Sequence, residues 1–281
     1  MYLGISITKL PGKILINQTK YLENVLKKYG MENCKGSDTP MDANYKLDEN
    51  SIIIENFEKQ CRSLIGSLMY AVVGSRPDLA TAVGYLSRYQ TKPSENLWKA
   101  LKRVLRYVKQ TVNYNLIYTN GNPDTLPPLK GYADADWARD NDRKSTSGYI
   151  FKLYGNTVVW RSKKQTTVAL STTEAELVSL CEATVEACWL VKLLSDLNIE
   201  VHNIPIYEDN QSTMKTVKNP DQKRLKHMDI KFNFVKQKVE EGLIDVRYVN
   251  TKSQLADALT KPLPKNQFQQ LIGALDLRDV H

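Results

Sequence analysis

Four acidic residues occur in an order that suits the binding of two metal ions. Asp134 lies in GYADADW, Glu176 in STTEAEL, Asp209 in IYEDNQS and Asp257 in SQLADAL. Clustered carboxylates repel one another unless cations neutralise them, and Mg²⁺ prefers oxygen ligands. A pair of such ions roughly 3.5–4 Å apart promotes in-line hydrolysis of phosphodiesters. If the fold brings these side chains together, the sequence therefore favours metal-dependent phosphodiester hydrolysis.

Two of these residues also have structural interpretations. Asp134 and Asp136 are two apart on a predicted strand and point to the same face, so alternation alone does not choose between them. Asp209 follows the apolar run IPIY and is also a candidate N-cap of the next helix. However, the carboxyl ends of strands in α/β sheets are where functional sites gather. Neither motif by itself decides between a functional and a structural role for its aspartate.

The STTEAEL motif offers two capping boxes at the start of a long helix. Ser171 with Glu174, or Thr173 with Glu176, would each satisfy the first backbone N–H groups. Glu176 directly precedes the buried stripe of that helix, so it can reach inward, whereas Glu174 is the better candidate for a solvated cap. Asp257 lies between small and apolar residues of a short helix and needs a partner if it is buried.

The first part of the chain is predicted to be a hairpin followed by helices and one strand. Pro11-Gly12 indicates the hairpin turn, and Ser94 is a predicted N-cap. The hairpin is expected over 2–17, helices over 19–29, 57–73, 78–89 and 94–110, and a strand over 114–118, with a long surface loop at 31–56. The segment GNPDTLPPLK at 121–130 is a predicted domain boundary because it holds three prolines and a glycine.

Beyond that boundary the pattern becomes α/β. Three strands precede a long helix, and strands then alternate with helices, which predicts a mixed sheet covered by helices. The strands are expected at 130–137, 147–154, 156–162, 204–208 and 243–249, and the helices at 173–196, 210–218, 227–241, 253–260 and 265–274.

The composition favours polyanionic partners. The 281 residues carry a formal net charge of +8, and the sequence pI is about 9.1. No apolar run is long enough for a transmembrane span, and the N-terminus lacks the features of a signal peptide. The four cysteines show no metal-ligand spacing, which is typical of free thiols. We therefore expect a cytoplasmic or nuclear location, without secretion and without membrane association.

Basic residues recur every three or four positions on the predicted 94–110 helix. Opposite them lies an apolar stripe, so one helix would combine a dry face with a basic face. The basic residues are Lys99, Lys102, Arg103, Arg106 and Lys109. Phosphate binding is one interpretation and an ordinary solvated face is the other. Lys163 and Lys164 form a shorter cluster with the same two interpretations.

Several motifs, taken in order, resemble the C-terminal part of a copia-type LTR retrotransposon Pol polyprotein. They are SLMYAVVGSRPDLATAVGYLSRY, LKRVLRYVKQT, GYADADWARDNDRKSTSGYIF, STTEAEL, IYEDNQS and QLADALTKPLP. The resemblance implies the end of a reverse transcriptase over 1–120, thumb-like or connection-like and mostly helical, and a ribonuclease H-like domain over 128–281. By similarity, Asp134, Glu176, Asp209 and Asp257 match the four catalytic and metal-binding carboxylates of that domain, and Asp136 and Glu174 are accessory.

The resemblance further implies what the chain acts on. We expect endonucleolytic cleavage of the RNA strand of RNA–DNA hybrids with two Mg²⁺ or Mn²⁺ ions, as part of retrotransposon reverse transcription in a virus-like particle or the nucleus. The upstream polymerase region of the same polyprotein is the expected protein partner. The Tyr/Phe-x-Asp-Asp motif of the polymerase palm does not occur here, so we do not expect DNA synthesis by this chain.

Other interpretations stay open at this point. Ribonucleases H often carry Gly after the first Asp and a mobile His near the last, whereas Ala135 follows Asp134 here and His227 is expected to be a surface residue. A non-catalytic nucleic-acid-binding remnant of such a polyprotein is the first alternative. A transposase or integrase of related fold is the second, but its Asp, Asp, Glu order differs from the order in this chain.

Overall fold

The chain divides into two compact units. The computed structural model describes residues 1–48, 51–121, 127–218 and 228–280. One unit comprises Met1–Thr119 together with the residues from Lys261 onward, and the other comprises Asn120–Thr260. Within the described residues, no helix has both the length and the apolar content that crossing a bilayer requires.

The first unit contains a four-stranded antiparallel sheet. The predicted hairpin is present and pairs Ser6 with Asn17 through Leu10 with Lys13. With strands numbered along the chain, its strands are β1 (Ser6–Leu10), β2 (Lys13–Asn17), β3 (Asn115–Thr119) and β9 (Leu277–Arg278). Their order in the sheet is β1-β2-β3-β9.

The first unit also contains α-helices. They are α1 (Thr19–Lys28), α2 (Glu58–Gly74), α3 (Ala80–Ser87), α4 (Glu95–Gln110) and α9 (Lys265–Ala274). The Oγ atom of Ser94 accepts a hydrogen bond from the backbone N–H of Leu97 at 3.3 Å, so the predicted cap of α4 is confirmed. Leu97, Leu101 and Val108 are fully buried, as the apolar stripe of α4 predicted.

A buried ion pair joins α4 to the turn between α2 and α3. The Arg76 and Asp78 side chains are almost completely buried, and an Nη of Arg76 lies 2.7 Å from Oδ2 of Asp78. The Tyr107 hydroxyl donates to the same carboxylate at 2.7 Å, and Arg76 also donates to the main-chain oxygen of Thr111 at 3.2 Å. Because each charge is paired and hydrogen-bonded, this polar group is tolerated inside the unit.

The C-terminal segment corrects the predicted domain boundaries. Residues 261–281 were assigned from sequence to the ribonuclease H-like domain, but the segment packs with the first unit. The Phe268 ring of α9 contacts the Tyr107 ring of α4 at a centroid distance of 5.7 Å. On β9, Leu277 pairs with Leu116 of β3. The short strand β9 was not predicted, because two residues carry no alternation pattern.

The second unit contains the predicted mixed sheet. Its strands are β4 (Leu129–Asp136), β5 (Thr146–Leu153), β6 (Asn156–Lys164), β7 (Ile204–Glu208) and β8 (Ile244–Tyr248). Their order in the sheet is β6-β5-β4-β7-β8, in which β4, β5 and β6 are antiparallel neighbours and β7 and β8 run parallel to β4. This confirms the ribonuclease H-like α/β fold that the resemblance implied.

Among the described residues of the second unit, four α-helices accompany this sheet. They are α5 (Thr172–Asp196), α6 (Gln211–Lys218), α7 (Asp229–Glu240) and α8 (Asp257–Thr260). Leu177 and Leu180 of α5 share one core with Ala133 of β4 and with Ile204 and Ile206 of β7. Burying each large aliphatic side chain contributes about 1.5–3 kcal/mol, so this core fixes α5 on the strands that carry the acidic residues. His227 lies outside the described residues.

Candidate active site

Asp134 is held from two directions at the centre of the sheet. It lies on β4, pairs with Gly148 of β5 and is 2% exposed. The Thr260 hydroxyl of α8 donates a hydrogen bond to Oδ2 of Asp134. The Ser179 hydroxyl of α5 donates to the main-chain oxygen of Asp134 at 2.7 Å. The carboxylate and its backbone are therefore both fixed, as a preformed ligand requires.

Asp257 begins α8 and is fully buried. The segment before it is anchored by Gln254, whose Nε2 donates to the main-chain oxygens of Ala133 on β4 at 2.9 Å and Tyr207 on β7 at 3.3 Å. Gln254 thus attaches the start of α8 to the two central strands. Both of its partners are distant along the chain, so the local sequence gives no signal for this positioning residue.

The start of α5 separates the two glutamates of STTEAEL. Ser171 Oγ accepts from the backbone N–H of Glu174 at 3.2 Å, and Oε2 of Glu174 accepts from the N–H of Leu170 at 2.7 Å. Ser171 is therefore the N-cap of α5, and Glu174 reaches back to the N–H of the residue before the cap, one residue earlier than in the predicted capping box. Glu176 is also buried, at 6% exposure, and its carboxylate lies among the other acidic groups.

The capping alternative for Asp209 does not hold. Oδ1 of Asn210 accepts a hydrogen bond from the backbone N–H of Thr213 at 3.0 Å, so Asn210 supplies the first turn of α6 with its side-chain acceptor. Asp209 directly follows β7 and is half-buried. Its side chain is available for the acidic cluster.

The carboxylates form two overlapping groups. One oxygen from each of Asp134, Asp209 and Asp257 lies within 4.8 Å of the others. One oxygen from each of Glu176, Glu208 and Asp209 meets the same condition. Asp209 belongs to both groups, so all four predicted carboxylates are brought together at one edge of the sheet. Asp136 is in neither group, and its carboxylate lies 3.6 Å from the Arg139 guanidinium.

Glu208 is a further acidic member, which is not among the four predicted carboxylates. It is fully buried, and its pKa is raised well above the usual value by burial first and also by the nearby Asp134 and Asp209 charges. A signal was available in the sequence. Ile204, Ile206 and Glu208 alternate along β7, which places the Glu208 side chain on the same face as two core residues.

The donor set suits hard divalent cations. Five carboxylates lie in the two groups, four of them are less than a tenth exposed, and oxygen is the ligand atom that Mg²⁺ and Mn²⁺ prefer. Oε2 of Glu208 is buried, and none of the residues that the structure describes donates a hydrogen bond to it. A buried anionic oxygen without a partner is costly unless a cation reaches it. The residues therefore fit one or two such ions.

Two arginines of the predicted basic face hold a loop of the same unit. Arg103 forms an ion pair with Asp42 at 2.7 Å and donates to the Thr39 hydroxyl at 3.0 Å. The Arg106 Nε donates to the main-chain oxygen of Lys35 at 2.8 Å. Both guanidinium groups are thus committed to the loop before α2. The phosphate-binding role predicted for them stays a prediction, and a structural role now accompanies it.

The lysines of α4 lie more openly on that face. Lys99, Lys102 and Lys109 are exposed. Lys99 is 3.6 Å from Glu95, an exposed pair of little energetic value, and Lys102 lies over the Trp98 ring at 5.7 Å. These three ammonium groups are the members of the basic face that can meet a phosphate backbone without releasing the loop.

Lys163 and Lys164 differ in their exposure and in their contacts. Lys163 is exposed near the end of β6. Lys164 lies 3.0 Å from Asp140 and 2.8 Å from Asp142, so it bridges two carboxylates of the turn between β4 and β5. Of this predicted pair, Lys163 is the better candidate for contact with nucleic acid.

Comparison with known proteins identifies relatives over most of the chain. No family model matches it. The retrovirus-related Pol polyprotein from transposon TNT 1-94 of Nicotiana tabacum is 38% identical over 284 residues, which cover 96% of this chain and 21% of that protein. The secreted RxLR effector protein 161 of Plasmopara viticola is 55% identical over 129 residues, covering 46% of this chain and 89% of that protein.

A solved structure shares the fold. The foamy viral protease-reverse transcriptase in complex with dsDNA matches with a TM-score of 0.51 at 12% identity, over 87% of this chain and 45% of that chain. The chain spans about a fifth of the length of the Pol polyproteins that it matches. Its fold, its ordered acidic motifs and these relatives agree: the chain belongs to the Pol polyproteins of copia-type retrotransposons.

Proposed function

We propose that this chain is a metal-dependent ribonuclease H that cleaves the RNA strand of RNA–DNA hybrids during retrotransposon reverse transcription. The observation that carries the proposal is the pair of carboxylate groups that share Asp209 at the sheet edge. Two adjacent divalent cations held by carboxylates are an arrangement that promotes in-line phosphodiester hydrolysis. The similarity to Pol polyproteins supports such an activity as part of a longer polyprotein.

Asp134, Glu176, Asp209 and Asp257 would hold two Mg²⁺ or Mn²⁺ ions. When bound, such a pair supplies an activated water and stabilises the leaving 3′ oxygen. The contribution of the chain is positioning: α8 fixes the Asp134 carboxylate through Thr260. Recognition of the substrate would rest on the A-form shape and the 2′-hydroxyls of the RNA strand.

The proposal includes partners and a location. RNA–DNA hybrid is the substrate, and exposed lysines such as Lys102 and Lys163 would contact its phosphates. The upstream polymerase region of the same polyprotein would deliver the hybrid. Such an assembly acts in a cytoplasmic virus-like particle or in the nucleus.

A panel of duplexes of one sequence tests the proposal. The purified chain is incubated with RNA–DNA hybrid, double-stranded RNA and double-stranded DNA, each labelled on one strand at a time, with Mg²⁺, Mn²⁺ or a chelator. We expect cleavage of the RNA strand of the hybrid alone, and none in chelator. Binding of the hybrid without cleavage under any metal condition would favour the non-catalytic remnant. Cleavage that persists in chelator would indicate another nuclease chemistry.

A further inference from the structure

Glu208 lies where β7 delivers a side chain into the acidic cluster. It continues the row of Ile204 and Ile206 on the face that α5 covers, and all three residues are fully buried. Glu176 enters from α5 on that same face. A glutamate in this row therefore carries its carboxylate to the end of the hydrophobic core, directly beside Glu176 and Asp209.

The two oxygens of the Glu208 carboxylate have different surroundings. The backbone N–H of Asn210 donates to Oε1 at 3.0 Å, which fixes the side chain against the turn after β7. Oε2 is buried and accepts no hydrogen bond from the described part of the chain. Folding seldom leaves a buried carboxylate oxygen unsatisfied, because its desolvation is costly. A group that arrives after folding is the simplest partner for it.

The neighbours of Glu208 specify the chemistry of that group. Oxygens of Glu176 and Asp209 lie within 4.8 Å of a Glu208 oxygen and of each other. Three carboxylates at this spacing would repel an anion and attract a small, hard cation.

We infer that Glu208 is a fifth metal ligand, which binds a divalent cation together with Glu176 and Asp209. This assignment rests on the proposed function for the presence of two ions. It adds a ligand beyond the four carboxylates that the resemblance implied.

Metal binding without nucleic acid tests the inference. Free Mn²⁺ is measured by electron paramagnetic resonance during titration of the wild type, Glu208→Gln and Glu208→Asp. Loss of a direct ligand should weaken Mn²⁺ binding at least about tenfold in both variants. The Gln variant removes the charge, and the Asp variant keeps the charge but withdraws it by one methylene. Circular dichroism in chelator verifies that each variant is folded.

Glu174→Gln is the matched control. Glu174 is also a buried glutamate near the start of α5, but its carboxylate accepts from the Leu170 N–H. This variant should bind Mn²⁺ as the wild type does. Binding by Glu208→Gln within about twofold of the wild type would overturn the inference. So would weakening in Glu208→Gln but not in Glu208→Asp, because that pattern indicates a charge effect without ligation.

Hybrid cleavage measured in parallel separates this inference from the proposed function. If the wild type cleaves hybrids and Glu208→Gln binds Mn²⁺ normally, the inference fails and the function stands. If Mn²⁺ binding depends on Glu208 but the wild type cleaves no hybrid, the function fails and the ligand assignment stands.

Discussion

The substitution Gly148→Ala should displace the Asp257 side chain although it replaces no acidic residue. Gly148 pairs with Asp134 across β4 and β5, on the face that α8 contacts. A Cβ at this position would lie 2.7 Å from Cγ2 of Thr260 and 2.9 Å from Cβ of Leu259. Carbon atoms pack favourably at about 3.5–4.0 Å, so α8 must retreat by roughly 1 Å.

That retreat should affect both stability and cleavage. Overpacking of a tight contact costs about 1–3 kcal/mol of unfolding free energy. Because Asp257 begins α8, its carboxylate would move with the helix, and a misplacement of about 1 Å can lower a rate about 100-fold. Urea unfolding followed by circular dichroism measures the first effect. Hybrid cleavage at saturating Mg²⁺, expressed per folded molecule, measures the second.

Gly131→Ala is the matched control for this variant. Gly131 lies on β4 and pairs with Phe151 of β5. A Cβ at Gly131 would lie 2.7 Å from the Phe151 ring, which is as close as the contact at Gly148 but does not involve α8. We expect a similar loss of stability with near-normal cleavage per folded molecule. Wild-type cleavage by folded Gly148→Ala, or equal loss in both variants, would refute the positioning role assigned to this contact.

Three further predictions concern other parts of the chain. Asp78→Ala leaves the Arg76 guanidinium buried without its partner, so the unfolding free energy should fall by about 3–5 kcal/mol; a change below about 1 kcal/mol in urea unfolding would contradict this. Glu174→Gln weakens a helix cap and should cost less than about 1 kcal/mol while hybrid cleavage stays near normal, whereas a large loss of cleavage would place Glu174 in the site. Lys102→Ala should lower the log–log salt slope of hybrid binding by about 1, whereas Arg106→Ala should chiefly loosen the loop that it holds; an unchanged slope in Lys102→Ala would mean a merely solvated face.

The helices and strands were largely predictable because their signals are local. Ser94 caps α4 and the apolar stripe of α4 is buried, as periodicity predicted. The ordered acidic motifs likewise located all four expected carboxylates, and the structure brings them together. Their alternative roles were decided by single neighbours: Asn210 caps α6, and Glu174 completes the cap of α5.

The remaining features depend on contacts between distant parts of the chain. Gln254 holds the start of α8 through hydrogen bonds to main-chain oxygens on two strands. The residues next to Gln254 in the sequence do not predict these hydrogen bonds. Arg103 and Arg106 fit a basic helical face by spacing, yet they hold a loop more than 60 residues away along the chain. Residues 261–280 belong to the first unit because Phe268 packs against Tyr107. A domain boundary placed at a single position in the sequence cannot assign two separate segments to one unit.

Asp209→Asn is the decisive variant for the proposed active site, because Asp209 is the carboxylate that both acidic groups share. The substitution keeps the shape of the side chain and removes its charge. We expect the rate of hybrid cleavage to fall about a thousandfold, equivalent to about 4 kcal/mol of transition-state stabilisation, in a variant whose circular dichroism matches the wild type. Near-wild-type turnover in that folded variant, with Mg²⁺ present, would contradict the proposed ribonuclease H site.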